Sequence, residues 1–409
     1  MYYINTSMYP YRRKRRGLRI AVTLTLTLLL FVGAGTANYL RPLPLAVAAP
    51  IPLTSEINTV HLSWPTNSQV ALGATGYGTL ARHGPQSPLP IASLAKVITA
   101  LAILQQKPLH KGQQGPAITL SDADVSIYNQ YLARQGAVVK VTSGEQISEY
   151  QALQAMLLAS ANNVADSTAI WAFGSLEKYT AYANTMVRQE RLTNTTISDD
   201  ASGFSPKTTS TSEDLVHLGE QALQNPVISE IIAQSEATLP VAGKVKNNAT
   251  ALAQEGLLSI KTGSSDQAHA CLLYAATTTI GGQTITLVGA TLNAHDLRAA
   301  VAGAKQLMDS AKPNFIVETP VTAGQSFGII TTAWGAQATI AAATNVTMIV
   351  WKGAPLTPQL QLRPMSGGQA QGAEVGSIVV NSKENHGSTS LTLQQPLPGP
   401  SFRWRLLRL

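Results

Sequence analysis

Cysteine is almost missing: the 409-residue chain has one, Cys271. A disulfide framework within the chain is excluded, and so is a cysteine-rich zinc site. Cys271 lies in an alternating apolar run and reads as a buried packing residue. Charge is also scarce, at 12% of residues against 44% hydrophobic. That balance excludes disorder of the whole chain. No two of the seven histidines stand four residues apart, so no helical metal-ligand pair is present and no metal site is expected. The length allows two or three domains.

The net charge of +7 does not mark a nucleic-acid binder. Arg12, Arg13, Lys14, Arg15, Arg16, Arg19 and Arg41 precede the first acidic residue, Glu56. Without them, 22 basic residues face 22 acidic ones. The body of the chain is neutral, and a basic patch for nucleic acid is not expected.

The basic block has a membrane reading instead. Residues 1–19 form a basic tail, and Ile20 to Ala37 run without a charge. As a helix, that run spans about 27 Å, enough for a bilayer core. The basic side is expected in the cytoplasm and the rest of the chain outside. A cleaved signal peptide is the competing reading, with Ala46-Val47-Ala48 as a small-residue site far beyond the apolar run. Residues 38–53 are Pro-rich and read as a semi-rigid linker.

Residues 54–313 read as α+β. The pattern predicts strands over Val60 to Trp64 and Gln69 to Leu80, with a turn between them. It predicts helices over Ala92 to Gln105, Ser148 to Leu158, Leu176 to Arg188 and Leu297 to Ala311. Gly256 to Lys261, Ala270 to Thr277 and Thr284 to Thr291 alternate like antiparallel strands. Strands at both ends with helices between point away from a βαβ sheet. Residues 314–409 show six short strand-like runs separated by Gly and Pro, the spacing of a small all-β domain. The final Phe402 to Leu409 is expected to be a strand end rather than a membrane-surface contact.

Three short motifs carry chemistry. Ser93-Leu-Ala-Lys96 opens a helix, so hydroxyl and amine share a face. A neighbouring lysine with a lowered pKa can take the serine proton. Ser160-Ala161-Asn162 follows an apolar helix and offers a hydroxyl and an amide on one turn. Lys261-Thr262-Gly263-Ser264 ends a strand pattern, with a cation and a hydroxyl for a carboxylate and a glycine for close approach. Each motif alone is ordinary: a helix cap with a surface lysine, a polar turn, a strand before a Gly turn. Their order and placement together are specific.

With these three motifs, the chain resembles the low-molecular-weight penicillin-binding proteins, the serine D-Ala-D-Ala carboxypeptidases, which share a fold with serine β-lactamases. Pro90-Ile-Ala-Ser93, Ala201-Ser-Gly-Phe204 with Ser210, Thr211 and Asp214, and Arg298 extend the likeness over about 55–315. Ala161, Asn163 and Ser264 depart from the residues usual there. The resemblance implies a penicillin-binding or serine β-lactamase-like domain, an antiparallel sheet flanked by helices with a helical subdomain. It implies Ser93 as nucleophile, Lys96 as base and Ser160 as proton relay. Asn162, Lys261, Thr262, Gly263 and Ser264 would bind substrate, with the Ser93 and Ser264 amides as oxyanion hole. Substrates would be peptidoglycan stem peptides ending in D-Ala-D-Ala, β-lactam antibiotics would inhibit, and no cofactor is needed. D,D-endopeptidase or transpeptidase activity, a class A-like β-lactamase and an inactive peptidoglycan-binding protein are the alternatives. The β-lactamase reading needs a deacylating glutamate, for which Glu190 is the nearest match.

Overall fold

The computed structural model describes residues 11–51, 59–383 and 385–408. The basic side chains of Arg12 to Arg15 and the expected domain start at residue 54 lie outside the described residues. Elements are numbered here in chain order. Helix α1 is Tyr11–Leu40, and strand β1 is Val47–Pro50. Strands β2, Gln69–Ala74, and β3, Gly78–His83, form a hairpin. Helices α2, Ala95–Gln106, α3, Asp122–Ala133, α4, Glu149–Leu157, and α5, Asn162–Phe173, follow. Then come α6, Leu176–Gln189, and α7, Ser212–Gln224. Strands β4, Leu258–Ser265, β5, His269–Ile280, and β6, Gln283–Ala294, lead into α8, Leu297–Ala311.

A five-stranded antiparallel sheet in the order β4-β5-β6-β2-β3 is the frame. The β5–β6 turn is Gly281-Gly282, both with positive φ (55° and 80°), as a two-residue type I′ hairpin requires. Alternation along the strands sorts side chains to two cores. Leu72, Leu272, Tyr274 and Leu287 face α8 with Ala300, Ala304 and Leu307. Ala71, Leu273, Ala275 and Val288 face α2 and α7 with Ile98 and Leu215. Ten of the twelve α2 residues are buried, which explains a sequence apolar all round. Truncation of Ile98 to alanine there costs about 2–5 kcal/mol. A smaller core under α4 and α5, with Ile118, Val139, Ile147 and Val164, makes the helical subdomain.

Local chemistry sets the helix starts. Ser148 accepts from the Gln151 amide at the head of α4 in a capping box. Thr211 and Asp296 cap α7 and α8 by accepting from the Asp214 and Ala299 amides. The helix over Leu297–Ala311 has the bounds its periodicity predicts.

The β-rich region has strands β7, Phe315–Val321, β8, Ser326–Thr331, β9, Gln337–Ala342, and β10, Val346–Trp351. It continues with β11, Thr357–Leu362, β12, Glu374–Ser382, and β13, Asn385–Leu393. Helix α9 is Phe402–Leu407. Six strands pair in the order β1-β8-β9-β13-β12-β11, and β7 pairs with β10. This region shares a core with the first sheet through Phe315, Ile349 and Trp351. Tyr77 Oη donates to the Ile349 carbonyl at 3.1 Å across the junction.

Four expectations change. Val60 to Trp64 forms no strand: the Ser63 amide goes to Ser310 Oγ at 2.9 Å, and Val60, Leu62 and Trp64 pack on the core beside α8. The predicted strand Gln69–Leu80 is broken by a turn at Gly76, with φ 80°. The Pro-rich segment is not only a spacer, because α1 runs on to Leu40 and Val47–Pro50 pairs with Gly328–Thr331. Pro50 is tolerated there because β1 is an edge strand. The tail is a helix, not a strand: Ser401 caps it by accepting from the Trp404 amide.

Candidate active site

The chain enters the site through a strained turn. Ala92 has φ 45°, and the 3₁₀ turn Ala92–Leu94 carries Ser93 into α2. Lys96, one helical turn on, is fully buried. Its Nζ donates to Ser93 Oγ at 2.9 Å, to Asn162 Oδ1 at 2.7 Å and to the Ser202 carbonyl at 2.8 Å. Burial pulls the Lys96 pKa well below its usual value, the nearby Lys261 lowers it further, and Asp200 and Asp166 oppose them.

Ser160 sits between α4 and α5 with φ 62°, unusual for a residue with a Cβ. The Asn162 amide then donates to the Ala137 carbonyl at 2.8 Å, which ties the start of α5 to the loop after α3. Asn162 Oδ1 is taken by Lys96, so its Nδ2 is the group left for a ligand.

Strand β4 forms one wall. Thr262, Gly263 and Ser264 line an open cleft of about 620 Å³ together with Ser93, Ser160 and Asn162. A Cβ added at Gly263 would stand 2.9 Å from the Ser93 amide nitrogen, so only glycine fits. Lys261 does not line the cleft. Its side chain is buried, with Nζ donating to the Thr262 carbonyl at 2.9 Å, and it lies near enough to Lys96 to lower that residue's pKa. Burial brings the pKa of Lys261 itself down to about 7.

The motifs are thus brought together, and residues that motif reasoning missed hold them there. Asp200 accepts from the Ser202, Phe204 and Ser205 amides. Asp166 accepts from Tyr131 Oη at 2.6 Å and from the Ala201 amide at 2.8 Å, and burial raises its pKa to about 6. These contacts aim the Ser202 carbonyl at Lys96. Gly203, with φ +73°, passes so close to Ala92 that a Cβ would be 2.0 Å from its carbonyl oxygen. Arg134, Gly136, Ala137, Phe204 and Pro206 complete the cleft. Phe204 belongs to the Ala201-Ser-Gly-Phe204 segment read from the sequence; no spacing signal marks the other four, because their roles come from packing.

Other sequence candidates fall outside. Arg298 is exposed and not in the cleft wall. Cys271 is fully buried, with Sγ against the Ala268 carbonyl, a packing residue as expected. Glu190 is exposed, bonded to Gln221 and away from the cleft. Among the described residues no cluster of three His, Cys, Asp or Glu could hold a metal ion.

Solved structures share this architecture. Penicillin-binding protein 5 from Haemophilus influenzae aligns with TM-score 0.59 at 17% identity, covering 84% of this chain and 100% of that one. The D-alanyl-D-alanine carboxypeptidase DacD from Francisella tularensis aligns with TM-score 0.58 at 14% identity, over 86% and 98%. The Streptomyces K15 DD-transpeptidase aligns with TM-score 0.52 at 21% identity, over 62% and 98%. At these identities the likeness defines the class by fold: an α+β fold like that of penicillin-binding protein 5, with a β-rich region after it. No curated protein matches the sequence. A family model described as D-alanyl-D-alanine carboxypeptidase matches residues 58–295. The chain belongs to that family, and its function is D-Ala-D-Ala carboxypeptidase activity, a hydrolase reaction.

Proposed function

We propose that Ser93 is the nucleophile of this carboxypeptidase and that Lys96 takes its proton. The observation that carries the reading is the 2.9 Å contact between Lys96 Nζ and Ser93 Oγ at a lysine whose burial favours the neutral amine. Ser93 Oγ attacks the carbonyl of the penultimate D-alanine, and the tetrahedral oxyanion is held by the amides of Ser93 and Ser264. Each such donor is worth about 10²–10³ in rate. Collapse breaks the peptide bond, and the leaving amine of the terminal D-alanine receives a proton through Ser160. Water then hydrolyses the ester of Ser93. Asn162 Nδ2 and the β4 edge hold the peptide, Thr262 and Ser264 contact the terminal carboxylate, and buried Lys261 supplies positive charge beside them. β-Lactams carry the same carboxylate and acylate the same oxygen.

The membrane reading is part of this proposal. Arg16–Leu40 is long and apolar enough to cross a bilayer, with mean hydropathy 2.0 and none of it buried against the protein. Leu406 and Arg408, in and just after α9, grip its C-terminal end: Asn38 Nδ2 donates to the Leu406 carbonyl at 3.0 Å, and Arg408 donates to the Asn38 carbonyl at 2.8 Å. This supports a single-pass anchor with the site on the extracytoplasmic side, residues 54–313 as the catalytic domain and 314–409 as a membrane-proximal β domain. Incubation of detergent-solubilised protein with a D-Ala-D-Ala-ended peptide tests the function by release of free D-alanine. Fluorescent penicillin tests the nucleophile: wild type is labelled and Ser93→Ala is not. A labelled Ser93→Ala protein overturns the assignment.

A further inference from the structure

The cleft has two walls of different charge. On the β4 side and its turn, Asp266 is the charged residue at the cleft surface. On the opposite side, at the end of α3, it is Arg134. Arg134 also lines a second cavity of about 300 Å³ next to the cleft, and Phe204 and Pro206 are likewise shared by the two.

Arg134 is held in place by a cation–π contact with Phe204. Its guanidinium lies over the Phe204 ring at 4.3 Å, and Phe204 is backed edge-on by Tyr131 at 5.4 Å. The chain turns sharply after it, with Gln135 at φ 59° and the Gly136 amide donating to the Tyr131 carbonyl at 2.9 Å. Among the described residues Arg134 is in no ion pair, and no side-chain hydrogen bond engages its donors. Stacking leaves the planar edge, with its N–H fork, free for a carboxylate.

The nearby carboxylates are already engaged. Asp166 is taken by Tyr131 and Ala201, Asp200 by three loop amides, and Asp199 by Ser198 and by Lys207 at 3.8 Å. On the α3 wall the unspent charge is therefore that of the Arg134 cation. Asp266 opposes an anion on the far wall.

We propose that Arg134 is a specificity-determining residue that binds a second carboxylate of the peptide, upstream of the scissile bond. The proposal rests on the reading of the cleft above, in which the terminal carboxylate goes to the Thr262 wall. The favoured substrate class is then an anionic stem peptide, with its extra carboxylate on the side chain before D-Ala-D-Ala or on the residue preceding that. Lysine-type peptides with a blocked amine and no such carboxylate are poorer substrates.

The test uses three peptides ending in D-Ala-D-Ala: one neutral, one with a side-chain carboxylate immediately before the dipeptide, and one with it a residue earlier. Wild type is expected to prefer one of the anionic peptides by at least about fivefold in kcat/KM, the low side for a charge-assisted bond in an open cleft. The better of the two locates the carboxylate. Arg134→Met should bring the ratio to near one, and Arg134→Lys should keep part of it. A merely structural stack on Phe204 would lower all three peptides alike and leave the ratio intact, which overturns the proposal. So does an Arg134→Met variant that loses discrimination against amidated termini instead. Binding of the same peptides to Ser93→Ala protein gives the ratio without turnover. If D-alanine is never released the carboxypeptidase assignment fails, while the binding ratio still decides the role of Arg134.

Discussion

Lys96 Nζ lies 2.9 Å from Ser93 Oγ and is buried within the field of a second lysine, Lys261. A buried amine next to another cation is most stable unprotonated, and an unprotonated amine can accept the serine proton.

Acylation by penicillin should rise with pH along an acid limb that follows deprotonation of Lys96. Lys261 lowers the pKa of Lys96, so removing its charge must raise it. Lys261→Met is therefore expected to move the acid limb to higher pH, measured as the pH profile of the acylation rate constant. A limb that moves to lower pH contradicts the coupling. Lys96→Ala should lose at least ~10²-fold in acylation at every pH, the lower end of a general-base contribution.

Gly263→Ala probes the oxyanion hole. The added methyl would sit 2.9 Å from the Ser93 amide nitrogen, in the space a substrate oxyanion needs. Loss of one such donor costs about 10²–10³ in rate. The expected result is a loss of at least ~10²-fold in acylation rate. Unchanged acylation would place the oxyanion elsewhere.

Thr262 lines the cleft while Lys261 is buried and does not. Wild type should favour a free-acid D-Ala-D-Ala peptide over its amide by at least about tenfold, from a charge-assisted bond of about 1.5–3 kcal/mol. Thr262→Val should shrink that preference while Ser93 still takes up penicillin. Equal cleavage of acid and amide by wild type would move the reaction towards an endopeptidase.

Glu149 is a stability prediction. It is fully buried, neither carboxylate oxygen has a hydrogen-bond partner among the described residues, and burial raises its pKa to about 7. The folded pKa lies above the unfolded one, so the folded state keeps a proton that the unfolded state releases. The contribution is therefore full below about pH 4.5 and is lost as pH rises through about 7. Glu149→Gln has no such loss. It should gain stability over wild type as pH rises, on the order of 1–2 kcal/mol at pH 8, read from urea midpoints at pH 5 and pH 8. A constant difference between the two pH values refutes the assignment.

The sequence by itself determined the local facts. Period-2 and period-3.6 patterns gave α8 its observed bounds and β5 and β6 their position, because one buried face repeats within a single segment. The three motifs were legible because Ser93 and Lys96 are one helical turn apart, and Ser160 and Asn162 share one turn. Patterns misled where burial came from a distant partner. Val60, Leu62 and Trp64 alternate without a strand because they dock beside α8. The tail is a helix against α1 because Arg408 and Leu406 meet Asn38, some 370 residues away in sequence. Only the tertiary structure decided that Lys96 is shared among Ser93, Asn162 and Ser202, that Asp166 and Tyr131 steer the loop, and that Arg134 lies on Phe204. Each of these joins segments far apart in the chain. A distance between such segments is set by how the sheet and helices pack, and no local spacing encodes it.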